Sequence, residues 1–343
     1  MFWQPMWIPP VQYLHYRRHE RSAFIRLFIL NLNPSYDHWI ILDERPTLPH
    51  VLRGEFALHQ IDGKGLNIAR VLGMLDCHDY VCLNVLGGPV GEVIDAQARQ
   101  LGIPAVNLWI EGESRMNTAL VHRYDGRHDV QMINEPGPDM RPAEVRRLKD
   151  AFGAEVAKDD LVVVSGSAVG GFGPEDFRDL AWQTKQHGAK MAVDIAGDWL
   201  TALVQESPYM LKVNDDELRL AFGVDARDID ELCRFRRAHG IGELVITFGS
   251  HGAVALTSER VIHAVPPRIE ADYAVGSGDS FFAGYLFGLT RGEPLEEAMR
   301  RATACGVANA TKLGAGLISY EDYAAYLDRV EVHEVTDGLL LRD

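Results

Sequence analysis

Apolar residues fall in short runs along much of this chain. Phe24–Leu32 (FIRLFILNL) is the first, and Tyr80–Leu86, Leu161–Ser165, Lys190–Asp194, Tyr209–Val213 and Leu244–Thr247 repeat its look. Runs of this length, bounded by turn residues, predict strands buried on both faces. Between them lie segments of helical character: Leu66–Leu75, Val90–Leu101, Pro142–Ala157, Pro174–His187, Ile229–His239 and Leu295–Leu313. Strand alternating with helix predicts βαβ units, hence an α/β fold with a doubly wound, mostly parallel sheet flanked by helices. Two stretches break the alternation. Residues 38–61 and 105–132 read as short strands and turns, as in the alternating Thr118–Tyr124 before Asp125-Gly126. They predict a small β-sheet, inserted in two pieces, lying over the C-terminal edge of the large one. Such a sheet is a lid that closes on ligand and excludes water; plain edge hairpins are the alternative.

Composition narrows the picture. The 343 residues suffice for one large α/β domain or two ordinary ones, and 47% hydrophobic with 24% charged supports a packed core. A formal net charge of −15 argues against nucleic acid or an anionic membrane as the main partner. A local basic pocket for a phosphorylated small molecule stays open. Cys77, Cys82, Cys233 and Cys305 lack metal-ligand spacing and read as free thiols of a reducing cytoplasm. No apolar run is long enough to span a bilayer. Residues 1–22 carry Trp3, Trp7, three prolines and a basic cluster, without the apolar core of a signal peptide. They read as a loosely packed or disordered extension, or as an aromatic clip onto a partner subunit. Residues 23–330 then form the folded domain and 331–343 a tail.

One segment carries most of the chemistry. Ala274-Val275-Gly276-Ser277-Gly278-Asp279 is a glycine-rich turn followed at once by an acid and a helix-like apolar run. Closely spaced glycines free backbone N–H groups to face an anion, and the helix adds its positive N-terminal end. A carboxylate beside a phosphate makes sense if it takes a proton from the attacking group. The segment points to phosphoryl transfer.

Other motifs are modest singly. Asp37 closes the first strand region, where a carboxylate suits sugar hydroxyls and a turn residue is the plainer reading. Asp62-Gly63-Lys64-Gly65-Leu66-Asn67 sets two glycines around a lysine at a helix start, a small phosphate or sugar site, without the spacing of a P-loop. Gly87-Gly88-Pro89-Val90-Gly91 has the wrong spacing for a dinucleotide fingerprint. Arg115, in Ser114-Arg115-Met116-Asn117, offers a planar fork for phosphate, or simply a solvated side chain. Asn214 and Glu217 share the first turn of a helix. They suit Mg²⁺ held through water, an N-terminal capping box, or both. Thr247, Gly249 and Gly252 follow another strand in a hairpin-like turn. Small residues around Asn309 fit a flat adenine groove or tight helix packing equally well.

The order of these motifs is more telling than any one of them. Asn33-Pro34…Asp37, Gly63-Lys64-Gly65-x-Asn67, Gly87-Gly88-x-x-Gly91, Ser114-Arg115-x-Asn117, Ile133-Asn134-Glu135-Pro136-Gly137-Pro138, Ser165-Gly166-Ser167, Asn214-x-x-Glu217 and Gly276-x-Gly278-Asp279 together resemble the ribokinase-like (PfkB) carbohydrate kinase family. The resemblance covers Ala23 to about Tyr326. It is nearest to the hexose-phosphate branch, which includes fructose-1-phosphate kinase and tagatose-6-phosphate kinase. It implies an ATP-dependent kinase with Asp279 as base and the N–H groups of Gly276, Ser277 and Gly278 as anion hole. It implies sugar contacts from Asp37, Gly63, Asn67, Asn117 and Ser167, and phosphate contacts from Lys64 and Arg115. Lys212, Asn214, Thr247, Gly249, Gly252 and Asn309 would line the ATP site, and Asn214 with Glu217 would order Mg²⁺. Relatives often use K⁺ near the anion hole and often form homodimers through the lid sheet. Asp62 stands where the family usually has glycine, and Ala168-Val169-Gly170-Gly171-Phe172 replaces the usual turn after Ser167. These departures keep a kinase of an unphosphorylated sugar, polyol or nucleoside open, and beside it a non-catalytic sugar-phosphate sensor.

Overall fold

The computed structural model describes residues 12–13, 25–42, 53–124 and 127–335. Its strands are β1 (Gln12–Tyr13), β2 (Leu27–Asn31), β3 (Ser35–Leu42), β4 (Phe56–Asp62), β5 (Tyr80–Gly87), β6 (Ala105–Ile110), β7 (Arg115–Tyr124) and β8 (Arg127–Ile133). They continue as β9 (Leu161–Ser165), β10 (Lys190–Asp194), β11 (Met210–Asn214), β12 (Glu243–Thr247), β13 (Ala253–Leu256), β14 (Val261–Val265) and β15 (Glu331–Glu334). The helices are α1 (Lys64–Met74), α2 (Gly88–Gln100), α3 (Pro142–Glu155), α4 (Pro174–Gln186), α5 (Gly197–Val204), α6 (Asp215–Phe222), α7 (Ile229–Ala238), α8 (Ser277–Thr290), α9 (Leu295–Ala310) and α10 (Tyr320–Leu327).

Eleven strands form one sheet in the order β1-β6-β5-β2-β9-β10-β11-β12-β13-β14-β15. The seven strands from β6 to β12 run parallel, and β13, β14 and β15 add an antiparallel edge. The apolar runs are explained by burial on both faces. Leu27 and Ile29 face one core with residues of α1, α8 and α9, while Phe28 and Leu30 face another with residues of α3, α4 and α7. The chain leaves β2 toward β5 and β6, then returns to β9 on the other side of β2. Ligands bind beyond the carboxyl ends of strands at such a reversal, and β2 and β9 end there at Asn31 and Ser165. A row of buried amides runs sideways from that point. Asn31 donates to Asn84 at 3.2 Å, Asn84 to Asn107 at 3.0 Å, and Asn107 to Asp95 Oδ1 at 2.7 Å. Linked end to end, these groups avoid the penalty of unpaired burial.

The second sheet has four strands in the order β4-β3-β7-β8. The expected two-piece insertion is present with different limits. The first piece spans β3 and β4, from Ser35 to Asp62, and the second spans β7 and β8, from Arg115 to Ile133. Residues 105–110 are not part of it: β6 pairs in parallel with β5 in the large sheet. The sequence misleads there because a short, largely buried strand of the large sheet and a short strand of the small one share the same apolar character. Residues 43–52 and 125–126 of the expected lid lie outside the described residues. Of the N-terminal extension, Gln12 and Tyr13 pair with Asn107 and Val106, and the rest lies outside the described residues. The expected tail begins as a strand instead, since Glu331–Glu334 pairs antiparallel with β14. Residues 336–343 lie outside the described residues. Trp39, Ile41, Ala119 and Val121 on the inner face of the small sheet bury themselves against Tyr273. Among the described residues, no helix is long and apolar enough to cross a membrane.

Candidate active site

Helix α8 begins where Gly276 turns left-handed, at φ 81°. A side chain there would be strained, and its Cβ would stand 2.6 Å from Ala315 Cα. The turn is held from beneath by Asn309, which is fully buried. Asn309 donates to the Val275 carbonyl at 2.8 Å and accepts from the Gly316 N–H at 2.7 Å and the Ser280 hydroxyl at 3.1 Å. Its side chain is therefore engaged by the turn rather than laid open along a nucleotide groove.

Asp279 lies in the first turn of α8, buried, and its Oδ2 accepts from Asn67 Nδ2 at 2.9 Å. Burial pushes its carboxyl up to about 6, against the charges of Lys64 and Lys212 and the Asn67 hydrogen bond, while the charge of Asp194 adds to the rise. It is thus largely ionised near neutrality yet basic enough to receive a proton. Lys64 and Lys212 grip Asp194 from two sides, each at 3.1 Å. Burial alone would raise the Asp194 carboxyl, but the two lysines outweigh it and hold it below the usual carboxylate range. Burial would lower Lys64, yet Asp194, Asp279 and Glu217 outweigh it and keep it firmly charged. Lys212 Nζ lies 3.3 Å from where a Cβ on Gly278 would be, directly over the turn. Asp194 was not among the residues expected from sequence. The available signal was its place as the last residue of an apolar strand, at the carboxyl edge of a parallel sheet.

The inner face of the small sheet faces this turn. Asp37 Oδ1 accepts from Ser35 Oγ at 2.6 Å and from Asn117 Nδ2 at 2.9 Å. Burial and the nearby charge of Asp62 push the Asp37 carboxyl up to about 7, although Ser35, Asn117 and Arg115 pull the other way. Asp62, the last residue of β4, accepts from Gln60 at 2.8 Å, from the Gly63 N–H at 2.5 Å and from Asn67 at 3.2 Å. Asn67 is almost wholly buried, and its oxygen accepts from Arg70 at 3.2 Å. The structure thus places Asn67 between Asp62 and Asp279, bracing both. Arg115 reaches the Asn33 carbonyl through Nε at 3.2 Å and Nη2 at 3.0 Å, and the Glu135 carbonyl through Nη1 at 3.3 Å. Three of its five N–H donors hold the two segments where the chain crosses into and out of the small sheet. Two remain for a ligand. Asn33 Nδ2 in turn donates to Ser167 Oγ at 3.2 Å. Gly63 joins β4 to α1, beside Asp62.

Asn214 and Glu217 form the capping box that the spacing allows: Glu217 N–H donates to Asn214 Oδ1 at 2.7 Å, and Asn214 N–H to Glu217 Oε2 at 3.0 Å. This leaves one Glu217 oxygen, Oε1, for an ion's water shell. Mg²⁺ accepts such sparse protein ligation when phosphates supply the rest, so the donor set fits it. Among the described residues, no group of three or more His, Cys, Asp or Glu side chains is placed to hold a metal outright. Thr247 ends β12 opposite Asn214. Gly249 opens the short turn after it, and Gly252 closes that turn at φ 91°, where a Cβ would stand 2.0 Å from the Ala264 carbonyl. Gly252 is required by the backbone itself.

Comparison with known proteins agrees with this geometry. Residues 39–322 match the model of the pfkB family carbohydrate kinases. The chain is 30% identical to a tagatose-6-phosphate kinase of Staphylococcus epidermidis over 90% of its own length and 100% of the relative's. It is 28% identical to the 1-phosphofructokinase of Bacillus subtilis over 83% and 92% of the two chains. Among solved structures, a putative phosphofructokinase of Staphylococcus aureus superposes with a TM-score of 0.76 at 25% identity, covering 91% of this chain and 100% of that one. Phosphofructokinase-2 of Escherichia coli, in complex with substrates and products, gives a TM-score of 0.82 at 23% identity over 89% and 99% of the two chains. The protein whose glycine-rich turn, buried carboxylate and small inserted sheet are described above belongs to the pfkB family of carbohydrate kinases.

Proposed function

We propose that this protein is an ATP-dependent sugar kinase. It transfers the γ-phosphoryl group to a hydroxyl of a phosphorylated ketohexose of the fructose 1-phosphate, fructose 6-phosphate or tagatose 6-phosphate type. One observation carries the reading: Asp279 is buried in the first turn of α8, beside the Gly276–Gly278 turn, with two lysines close by. Asp279 takes the proton of the attacking hydroxyl, and the N–H groups of Gly276 and Gly278 receive the charge of the moving phosphoryl group, whereas the expected third donor, the Ser277 N–H, is turned to the Ala274 carbonyl at 3.2 Å. Asp37 and Asn117 position the sugar. Ser167 and the free donors of Arg115 meet its phosphate, and Lys64 and Lys212 lie toward the phosphates of ATP. Gly63 lets the chain approach the sugar closely. Thr247, Gly249 and Gly252 shape the nucleotide side, and Asn309 holds the turn. Mg²⁺, ordered by Glu217 and the Asn214 end of α6, neutralises phosphate charge when bound.

Three further parts belong to this reading. A phosphofructokinase-2 structure from Escherichia coli is described as a complex with potassium. Gln60 Oε1 is buried without a partner among the described residues and packs on Gly314, beside the turn that touches Gly276. Such an orphaned oxygen suits K⁺, and the rate in KCl should exceed that in tetramethylammonium chloride. The outer face of the small sheet carries Tyr36 against the stacked pair His38 and His59, with Met116 and Ile133 exposed. This face serves as the homodimer contact, checked by sedimentation of an Ile133→Asp protein. Free thiols at Cys77, Cys82, Cys233 and Cys305 suit work in the cytoplasm.

Asp62 favours a second reading, an unphosphorylated acceptor, because its charge faces the pocket that a sugar phosphate would enter. An ADP-release screen over sugars, polyols, sugar phosphates and nucleosides decides between them. Fastest turnover with a ketohexose phosphate supports the first reading. Fastest turnover with a neutral acceptor overturns it in favour of the second, and no turnover with any acceptor overturns both.

A further inference from the structure

Asp62 has a place in the network that the roles above leave unused. It is the last residue of β4 in the small sheet, while Asp279 lies in the first turn of α8 in the main body. One side-chain amide joins them. Asn67 Nδ2 donates to Asp62 Oδ1 at 3.2 Å and to Asp279 Oδ2 at 2.9 Å, which occupies both of its hydrogens. The other end of the amide is locked as well: Arg70 donates to Asn67 Oδ1 at 3.2 Å and to the carbonyls of Ala315 and Ile61. Ile61 is the neighbour of Asp62 in β4, so the circuit closes on the small sheet. Asp62 itself is held by the Gly63 N–H at 2.5 Å and Gln60 at 2.8 Å.

We propose that Asp62 is a positioning residue for the base Asp279, acting through the Asn67 amide, so that the base is fully held only while the end of β4 is seated. The inference rests on the kinase reading above. Without Asp62, one hydrogen of the Asn67 amide loses its acceptor and the amide gains freedom to turn. Its bond to Asp279 then weakens. That bond favours the ionised carboxylate, so its loss raises the proton affinity of Asp279. Other charges acting on Asp279 are Lys64 on α1, Asp194 on β10 and Lys212 on β11. Arg70 on α1 feels Asp279 together with Asp37 and Asp62 of the small sheet. None of these except Asp62 is altered in the test.

The test compares Asp62→Ala, Asp62→Asn, Asn67→Ala and the Asp62→Ala/Asn67→Ala double variant. Each is made in the full chain and assayed with the sugar phosphate that the unaltered protein turns over fastest. Asp62→Ala should lower kcat about tenfold, less than the ~10²–10⁴-fold loss of a base, and leave KM for ATP unchanged. The acid limb of its kcat profile should move to higher pH. Asp62→Asn keeps an acceptor oxygen for Asn67 and should recover most of kcat. The double variant should be no slower than Asn67→Ala alone, because both changes break one path. An unmoved acid limb, or additive losses, overturns the proposal while leaving the kinase reading intact. No turnover by the unaltered protein overturns both. Should Asp62→Ala fail to fold, the acid limb of Asp62→Asn against Asn67→Ala decides: similar shifts in the two sink the idea that an acceptor oxygen suffices.

Discussion

The two walls of this site are built from different materials. The wall proposed to meet the moving phosphoryl group is main chain, a turn fixed by Gly276 and clamped by the fully buried Asn309. The wall proposed to meet the sugar is side chain, with Asp37, Asp62, Arg115 and Asn117 on strands of a separate sheet. Main-chain donors are set by the fold and have one arrangement. Side-chain groups on a second sheet can be exchanged and can move relative to the first. On the proposed reading the chemistry is lodged in the large-sheet body, and the choice of acceptor in the small sheet beside it.

The largest effect expected on the rigid wall is from Asp279→Asn, which should lower kcat about 10²–10⁴-fold with ATP affinity kept. Turnover near the parent rate would mean that another group accepts the proton. Next comes Gly276→Ala. Its Cβ cannot fit beside Ala315, so the turn must shift and its donors lose their aim, at a cost of about 10²-fold in kcat, comparable to removing one anion-hole donor. A variant with normal kcat and merely lower stability would show that the turn is structural.

On the side-chain wall, Arg115→Ala should raise KM for a sugar phosphate about 10–100-fold, the worth of a charge-assisted hydrogen bond, with a smaller change in kcat. An equal rise for a neutral sugar would reassign Arg115 to holding the Asn33 and Glu135 segments alone. The smallest effect is one of stability. The Asp37 carboxyl is raised from 3.8 to about 7 when folded, so across that window the folded protein holds a proton that the unfolded chain has released. Stability from this group therefore falls as pH rises toward 7. Asp37→Asn should raise Tm at pH 8 by about 2–4 °C, the shift that about 1 kcal/mol gives in a large domain, and leave Tm at pH 4 unchanged. Calorimetry at the two pH values checks it; a gain at pH 4 equal to that at pH 8 would rule out the buried charge as the cause.

The same contrast governs what the sequence could reveal. Strands Leu161–Ser165 and Lys190–Asp194 are legible to the residue, because burial on both faces leaves the apolar stretches Leu161–Val164 and Met191–Val193 within them. The turn at Gly276 is legible because its conformation demands glycine. Asp194 is not, since its meaning comes from two lysines, one 130 and the other 18 residues away. The engagement of Asn67 and Asn309 by their neighbours is likewise invisible to spacing. Helix α5 is not legible because Gly197–Val204 is only eight residues long. The limits of the small sheet failed at β6, where length and hydrophobicity do not say which sheet a strand joins.

A hole made of peptide N–H groups has a further consequence for how such a protein changes over generations. A substitution alters side chains and leaves peptide groups in place, so few codons can erase the phosphoryl site: chiefly those of Gly276, Gly278 and the clamp Asn309. The proposed sugar wall presents a far larger mutational target, spread over strands that connect to the body at β2, α1, β6 and α3. New acceptors can therefore be tried at the small sheet while the old chemistry persists beneath it.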